Sequence, residues 1–143
     1  DLVVGILGPP EKVTPYNRRS GKFEDDLMDN MLSLCEYPDA TATIKSTALE
    51  VEGFERRHLV VCGTEGTLHI QPLDEPEVLL ALSSGRGEFR EGYQKIDVGP
   101  YERYVADVAD LAAVIRKEKA AYFDSAHDLA VQAALLKACE MDS

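Results

Sequence analysis

The sequence predicts an α+β domain in which a mostly antiparallel sheet of about six strands carries helices on one face. Short runs of β-branched and apolar residues, separated by turn residues, fill positions 12–98. After Gly99 and Pro100 the apolar residues recur at the three- and four-residue steps of a helix. The connections between the strand-like runs are short, which favours antiparallel neighbours. The other face of the sheet is predicted to be open or to mediate dimerisation.

The centre of this prediction is a β-hairpin within residues 56–71. Gly63-Thr64-Glu65-Gly66 separates two β-rich runs, and Gly66 is predicted to adopt a positive φ, which glycine does without a Cβ clash. Alternation then assigns four apolar residues to the core face of the sheet: Leu59, Val61, Leu68 and Ile70. The opposite face is predicted to carry His58, Val60, Thr67, His69 and Gln71.

Further strands and three helices complete the prediction. Residues 50–54 are predicted to form a turn into the hairpin. The last helix is predicted to begin with Ser125 as its N-cap and to be buried on most sides, because residues 129–139 are almost all apolar. The strands are predicted at 12–16, 27–37, 41–49, 78–83 and 93–98, and the other helices at 2–8 and 101–117.

Size and charge restrict the classes of partner. The 143 residues suffice for one domain with a core, and we treat 1–143 as that domain. A net charge of -11 argues against nucleic acid and anionic membranes, which require clustered lysine and arginine. No apolar run approaches the roughly 18 residues of a membrane helix. Cys35, Cys62 and Cys139 are odd in number and lack metal-ligand spacing, so we expect a reduced, cytoplasmic protein.

Few residues carry recognisable chemistry, and the sequence predicts no catalytic, cofactor-binding or metal-binding residue. A dinucleotide site needs a strand, a glycine-rich turn and a helix, and no helix opens after Gly85-Arg86-Gly87. Tyr101 and His127 are predicted to face a substrate, because each stands where a loop enters a helix. Alternatively, His127 is a capping or interface residue. His58 and His69 are interpreted as polar residues of the second sheet face, with a metal-binding pair as the alternative.

A homodimer is predicted through the open face of the sheet. Helical segments at the two ends of the chain cannot cover both faces of a sheet of about six strands spaced about 4.8 Å apart. A two-fold contact between such faces is a common symmetric solution, and the alternative is a face that remains hydrated. The dimer face is predicted to include Thr43, Lys45, Thr47, Val60 and His69.

Three stretches together resemble the C-terminal domain of the glucose–fructose oxidoreductase/inositol dehydrogenase/MocA (Gfo/Idh/MocA) family. The segment DLVVGILG at 1–8, followed by Pro10 and Val13, is similar to the helix and strand that open that domain. LVVCGTEGTL at 59–68 resembles the family's recurrent strand–turn–strand, and HDLAVQAALLKAC at 127–139 resembles the terminal helix of bacterial members. The three stretches occur in the family's order and span nearly the whole chain.

The resemblance implies a two-domain NAD- or NADP-dependent oxidoreductase that acts on a sugar, a cyclitol or a related alcohol. The cofactor and the catalytic lysine would belong to a preceding Rossmann domain, and the present chain would shape the substrate pocket and the oligomer interface. Asp1 would be the last residue of the family's His-x-x-Asp pattern, whose histidine would precede it. A start without methionine or an N-cap also predicts a fragment. The alternative is a free-standing α+β interaction module without enzymatic activity.

Overall fold

The computed structural model describes residues 1–100, 102 and 104–141 and shows an α+β fold. The chain divides into two compact units, residues 1–50 with 110–143 and residues 51–109. The first unit contains α1 (Leu2–Leu7), β1 (Lys12–Arg18), β2 (Asn30–Glu36), β3 (Thr41–Thr47) and α4 (Ser125–Ala138). The second contains α2 (Gly53–Arg56), β4 (Leu59–Cys62), β5 (Gly66–Ile70), β6 (Val78–Leu82) and β7 (Gly92–Ile96). The boundary between the two falls within α3 (Val105–Ile115).

The strands form two sheets, which corrects the prediction of one sheet of about six strands. One sheet has the order β1-β2-β3 and the other β4-β5-β6-β7, and every pairing is antiparallel. Between β3 and β4 the chain runs through residues 48–58, which include the helical turn α2 where a simple turn was predicted. A connection of that length exceeds a hairpin loop and does not force its flanking strands to pair.

The first unit packs α4 against one face of its sheet. The buried residues of that face are Asn17, Ser33 and Cys35, and burial raises the pKa of the Cys35 thiol. Asn17 donates from Nδ2 to the carbonyl oxygen of Ala138 at 2.9 Å and to the carboxylate of Glu140 at 3.0 Å. The last carbonyls of a helix have no partner within the helix. A side chain from β1 therefore caps the C-terminal end of α4.

Two predictions about α4 are wrong. Its N-cap is Asp124, whose carboxylate accepts the backbone N–H of His127 at 2.9 Å, and Ser125 is the first helical residue. Aspartate and serine are both good N-caps, so sequence preference did not separate neighbouring candidates. The helix is also largely exposed, with Leu129 at 70% and Leu135 at 52% relative exposure. Only one side of the helix packs on α1 and β1 within its own unit.

A buried aspartate organises the loop between β1 and β2. Residues 27–29 were predicted to begin a strand, but β2 begins only at Asn30. Asp29, the residue just before β2, is buried. Its carboxylate accepts the hydroxyl of Ser20 at 2.6 Å and the backbone N–H of Ser20 at 2.9 Å. These bonds, with the hydroxyl contributing most, hold the pKa of Asp29 below its usual value. The loop of residues 20–29 is therefore closed by the side chain of its last residue.

The second unit confirms the predicted hairpin and corrects the role of one glycine. Leu59 lies opposite Ile70 and Val61 opposite Leu68, so the predicted core residues share a face. Gly66 does not adopt a positive φ. A Cβ at this position would instead lie 2.6 Å from the carbonyl oxygen of Ala81 and 2.8 Å from a methyl group of Leu82. Glycine is required here because β6 approaches closely.

Candidate functional site

A cluster of one histidine, one carboxylate and one aromatic ring forms the candidate site in the first unit. The Nε2 atom of His127 lies 2.9 Å from Oδ1 of Asp1, although 126 positions separate the two residues in sequence. The ring of His127 stacks on Phe123, with centroids 4.1 Å apart and planes at 25°. The histidine side chain is 14% exposed and that of Asp1 is 69% exposed. The cluster thus combines a shielded imidazole with a carboxylate open to solvent.

Local sequence explains why these groups meet. Asp124 caps α4 through the N–H of His127, which fixes that residue in the first turn of the helix. Asp1 precedes the first residue of α1, and α1 and α4 contact each other. Gly5 of α1 faces the ring of Phe123, which an added Cβ would meet at 3.5 Å. The small Gly5 surface lets α1 lie close to Phe123, and this brings Asp1 to His127.

The cluster can bind and orient a polar ligand. An ionised carboxylate only accepts hydrogen bonds, so Nε2 of His127 donates to Asp1. The exposed Asp1 carboxylate keeps further acceptor capacity, which suits the hydroxyl groups of an alcohol. Across residues 1–100, 102 and 104–141, no group of three or more histidine, cysteine, aspartate or glutamate side chains is arranged to hold a metal ion.

The prediction for His127 locates this cluster, but its partners were missed. His127 lies in the first turn of α4, where sequence analysis placed it, and its contact with substrate stays a prediction. Tyr101 lies outside the described residues. Sequence analysis named Asp1 only as the end of the family's His-x-x-Asp pattern, without pairing it with His127, and it missed Phe123. A usable signal existed in the adjacent aromatic pair of Tyr122 and Phe123 immediately before the helix, whose rings pack edge to face at 4.8 Å.

The predicted dimer face is divided between the two sheets. Thr43, Lys45 and Thr47 lie on the edge strand β3 of the three-stranded sheet. Val60 and His69 lie directly opposite each other on β4 and β5 of the four-stranded sheet. These five residues therefore do not form one row across a single sheet, and their place in an interface stays a prediction.

Two surface cavities lie away from the candidate site. One of about 430 Å³ in the first unit is lined by Glu11, Lys12, Val13, Pro15, Lys137 and Glu140, and it is shallow and open. Another of about 240 Å³ lies in the second unit beside Glu65 and Arg86. Neither contains His127 or Asp1, so the candidate site is chosen for its chemistry. In the part of the chain described, every helix is too short or too polar to cross a bilayer.

The comparisons with known proteins leave function to be argued from these residues. No family model matches the sequence, and no curated protein matches it significantly. The α+β fold and the contact between Asp1 and His127 are therefore the structural observations on which a functional proposal can rest.

Proposed function

We propose that this chain is the substrate-binding and assembly domain of an NAD- or NADP-dependent oxidoreductase acting on a sugar, a cyclitol or a related alcohol. The observation that carries the proposal is the hydrogen bond between Asp1 and His127. It joins the first and last of the three stretches that resemble the Gfo/Idh/MocA family. A functional pairing of those stretches requires them to meet in space, and this hydrogen bond supports such a pairing.

Within this proposal the cluster forms one wall of the alcohol-binding pocket. Asp1 corresponds to the last residue of the His-x-x-Asp pattern, and His127 orients its carboxylate. Hydroxyl-rich substrates are recognised by a few fixed polar groups and aromatic faces, which the cluster of His127, Asp1 and Phe123 offers. The nicotinamide cofactor and the hydride-transfer chemistry belong to a preceding Rossmann domain of the same protein.

The three cysteines support a reducing compartment for this enzyme. Cys35, Cys62 and Cys139 are all free, and Cys62 is exposed. Exposed thiols persist in the cytoplasm, where glutathione and thioredoxin keep them reduced. We therefore propose a cytoplasmic location, consistent with a reaction that draws on the cellular pool of nicotinamide cofactor.

The oxidoreductase proposal is tested on the full-length gene product. We expect this full-length protein to contain a strand, a glycine-rich turn and a helix before Asp1, and a histidine three residues before Asp1. With NAD⁺ or NADP⁺ and a panel of sugars and cyclitols, it should form reduced nicotinamide, measured by absorbance. In the full-length His127→Ala protein, KM should rise at least about tenfold, because Asp1 loses the hydrogen bond that orients its carboxylate.

Controls separate this proposal from an interaction module. Residues 1–143 alone should bind neither NAD⁺ nor NADP⁺ in calorimetry, because the sequence contains no dinucleotide fingerprint. A matched variant, Ser46→Ala, changes an exposed side chain of β3 and should leave KM unchanged. Two results would contradict the proposal: a start codon immediately before Asp1, or micromolar binding of nicotinamide cofactor by residues 1–143.

We also propose that the protein forms a homodimer through an exposed sheet face. On the three-stranded sheet, Lys45 lies in register with Leu32 and Tyr16, so the three share a face. Leu32 is 39% and Tyr16 51% exposed, which gives that face apolar area to bury. Val60, 47% exposed, offers a smaller apolar contribution on the four-stranded sheet.

Two charge substitutions distinguish the sheets as dimer faces. We expect a wild-type dimer in light scattering at tens of micromolar and a monomer for Leu32→Glu, because a two-fold contact opposes the two new charges. Val60→Glu is the matched variant on the other sheet. If only Val60→Glu abolishes the dimer, the interface lies on the four-stranded sheet and not on the three-stranded sheet. A monomeric wild type, or two folded variants that both remain dimeric, would contradict the proposal.

A further inference from the structure

We infer that His58 and His69 form a two-histidine site for a divalent transition metal ion, of which Zn²⁺ is the reference case. The two rings lie on the same face of the four-stranded sheet, with centroids 6.3 Å apart and planes at 84°. Both residues belong to the second unit, so the site is independent of the cluster around His127 and of the proposed function.

The sheet holds both backbones in place. His69 lies on the inner strand β5, paired with Val60 of β4 on one side and Leu79 of β6 on the other. His58 directly precedes β4, and strand alternation places it on the face of Val60. It is therefore the diagonal cross-strand neighbour of His69, within reach of long or aromatic side chains. His69 is thus fixed within the sheet, and His58 lies at the start of the neighbouring strand.

The hydrogen bond of His58 shows which of its two ring nitrogens could bind a metal ion. Its Nδ1 atom lies 3.0 Å from the backbone carbonyl oxygen of Arg56. A carbonyl only accepts, so Nδ1 carries the proton, and in the neutral ring Nε2 has the lone pair. Histidines that bind metals characteristically donate their other ring N–H to a carbonyl or a carboxylate, which fixes the tautomer. The tautomer required of a metal-binding histidine is thus already present in His58.

The ring separation fits a shared ion after a small rotation. With nitrogen–zinc bonds of about 2.1 Å, each centroid lies about 3.2 Å from the ion, and two such rings have centroids about 5–6 Å apart. The observed 6.3 Å lies just beyond that range. Side-chain rotation of the exposed His58 can close the difference. Water would complete the coordination, and imidazole ligands select Zn²⁺, Cu²⁺ and Ni²⁺ over Mg²⁺ and Ca²⁺.

Two nearby cationic side chains, Arg57 and Lys95, are engaged by other groups. Arg57, which alternates to the opposite face, lies over the Phe54 ring at 4.1 Å and contacts Asp74 at 3.2 Å. Lys95, in register with Leu79 on the face of His69, is paired with Glu77 at 2.7 Å. Its charge is therefore partly balanced by a carboxylate. A bound ion would link the edge strand β4 to the inner strand β5.

Zinc titration of the full chain tests the site. After chelator treatment, wild type should bind one Zn²⁺ in the micromolar range, and His58→Ala or His69→Ala should weaken binding at least about tenfold, because each removes one of two ligands. NMR should show the ring C–H signals of His58 and His69 moving together with added Zn²⁺. His127→Ala, which removes the third histidine of the chain, should leave Zn²⁺ affinity unchanged.

A thiol control completes the experiment. Cys62 is exposed and shares the face of Val60 on β4, so Cys62→Ser is titrated in parallel. Retained binding in Cys62→Ser supports the histidine pair. The inference is overturned if the folded double variant His58→Ala/His69→Ala binds Zn²⁺ as tightly as wild type, or if binding is lost in Cys62→Ser and kept in both histidine variants. Circular dichroism establishes that each variant is folded.

Discussion

Replacing Gly66 with alanine is expected to lower the free energy of unfolding by about 1–3 kcal/mol, the usual cost of forcing extra volume into a packed site. The added methyl group would lie 2.6 Å from the carbonyl oxygen of Ala81 and 2.8 Å from Leu82 Cδ2. A leucine methyl can rotate away, but a strand carbonyl moves only if the β5–β6 ladder shifts. Urea denaturation of Gly66→Ala against wild type measures the loss.

Gly63→Ala is the matched control for this substitution. Gly63 closes the same hairpin, donating its N–H to the carbonyl of Gly66 at 2.8 Å. An added Cβ would lie 3.5 Å from that carbonyl oxygen, which is ordinary van der Waals contact, and the residue has no positive φ. We expect the free energy of unfolding of Gly63→Ala to lie within about 0.5 kcal/mol of the wild-type value. Equal stability of the two variants would show that close approach of β6 is not why position 66 is glycine.

Asn17→Ala is expected to lower the free energy of unfolding by about 1–3 kcal/mol, since two part-buried hydrogen bonds of about 0.5–1.5 kcal/mol each are lost. The substitution removes both hydrogen bonds from β1 to the end of α4, to Ala138 at 2.9 Å and to Glu140 at 3.0 Å. Thermal or urea unfolding measures the loss. Hydrogen exchange should rise in the last turn of α4, because that turn loses its tie to the sheet.

Two further variants define what Asn17 contributes. Asn30→Ala changes an exposed asparagine at the start of β2, and its free energy of unfolding should lie within about 0.5 kcal/mol of wild type. Asn17→Asp keeps the shape and replaces both donors with a carboxylate that faces a carbonyl oxygen and Glu140, so it should be less stable than Asn17→Ala at neutral pH. A fully stable Asn17→Asp protein would refute the cap.

The local sequence pattern predicted the individual strands and helices better than it predicted how the strands combine into sheets. The alternation of Leu59 with Val61 and of Leu68 with Ile70 is set by a period of two, so the shared face of the hairpin followed from sequence. Every pairing joins strands that are neighbours in sequence, and the one break falls between β3 and β4. The connection of residues 48–58 is too long to force those two strands to pair, so the single predicted sheet became two.

The candidate site shows the same limit. His127 was chosen because it lies at the entrance to a helix, a local feature. Its contact with Asp1 depends on α1 approaching α4 across Gly5, and its stacking depends on the position of Phe123. Likewise the hydrogen bond that Ser20 donates to Asp29 closes a loop in which many polar residues are equivalent by sequence. Such tertiary contacts are visible only once the elements are placed.

The division of the chain into units sets an order for folding. The second unit is contiguous, and its strands pair only with sequence neighbours, so each pairing closes a short loop at low entropic cost. The first unit is interrupted, and the contact of Asn17 with Ala138 spans 121 positions. During synthesis the four-stranded meander can therefore pair before α4 has left the ribosome. Residues 1–50 precede the meander in the chain but reach their final packing on α4 only after it has paired.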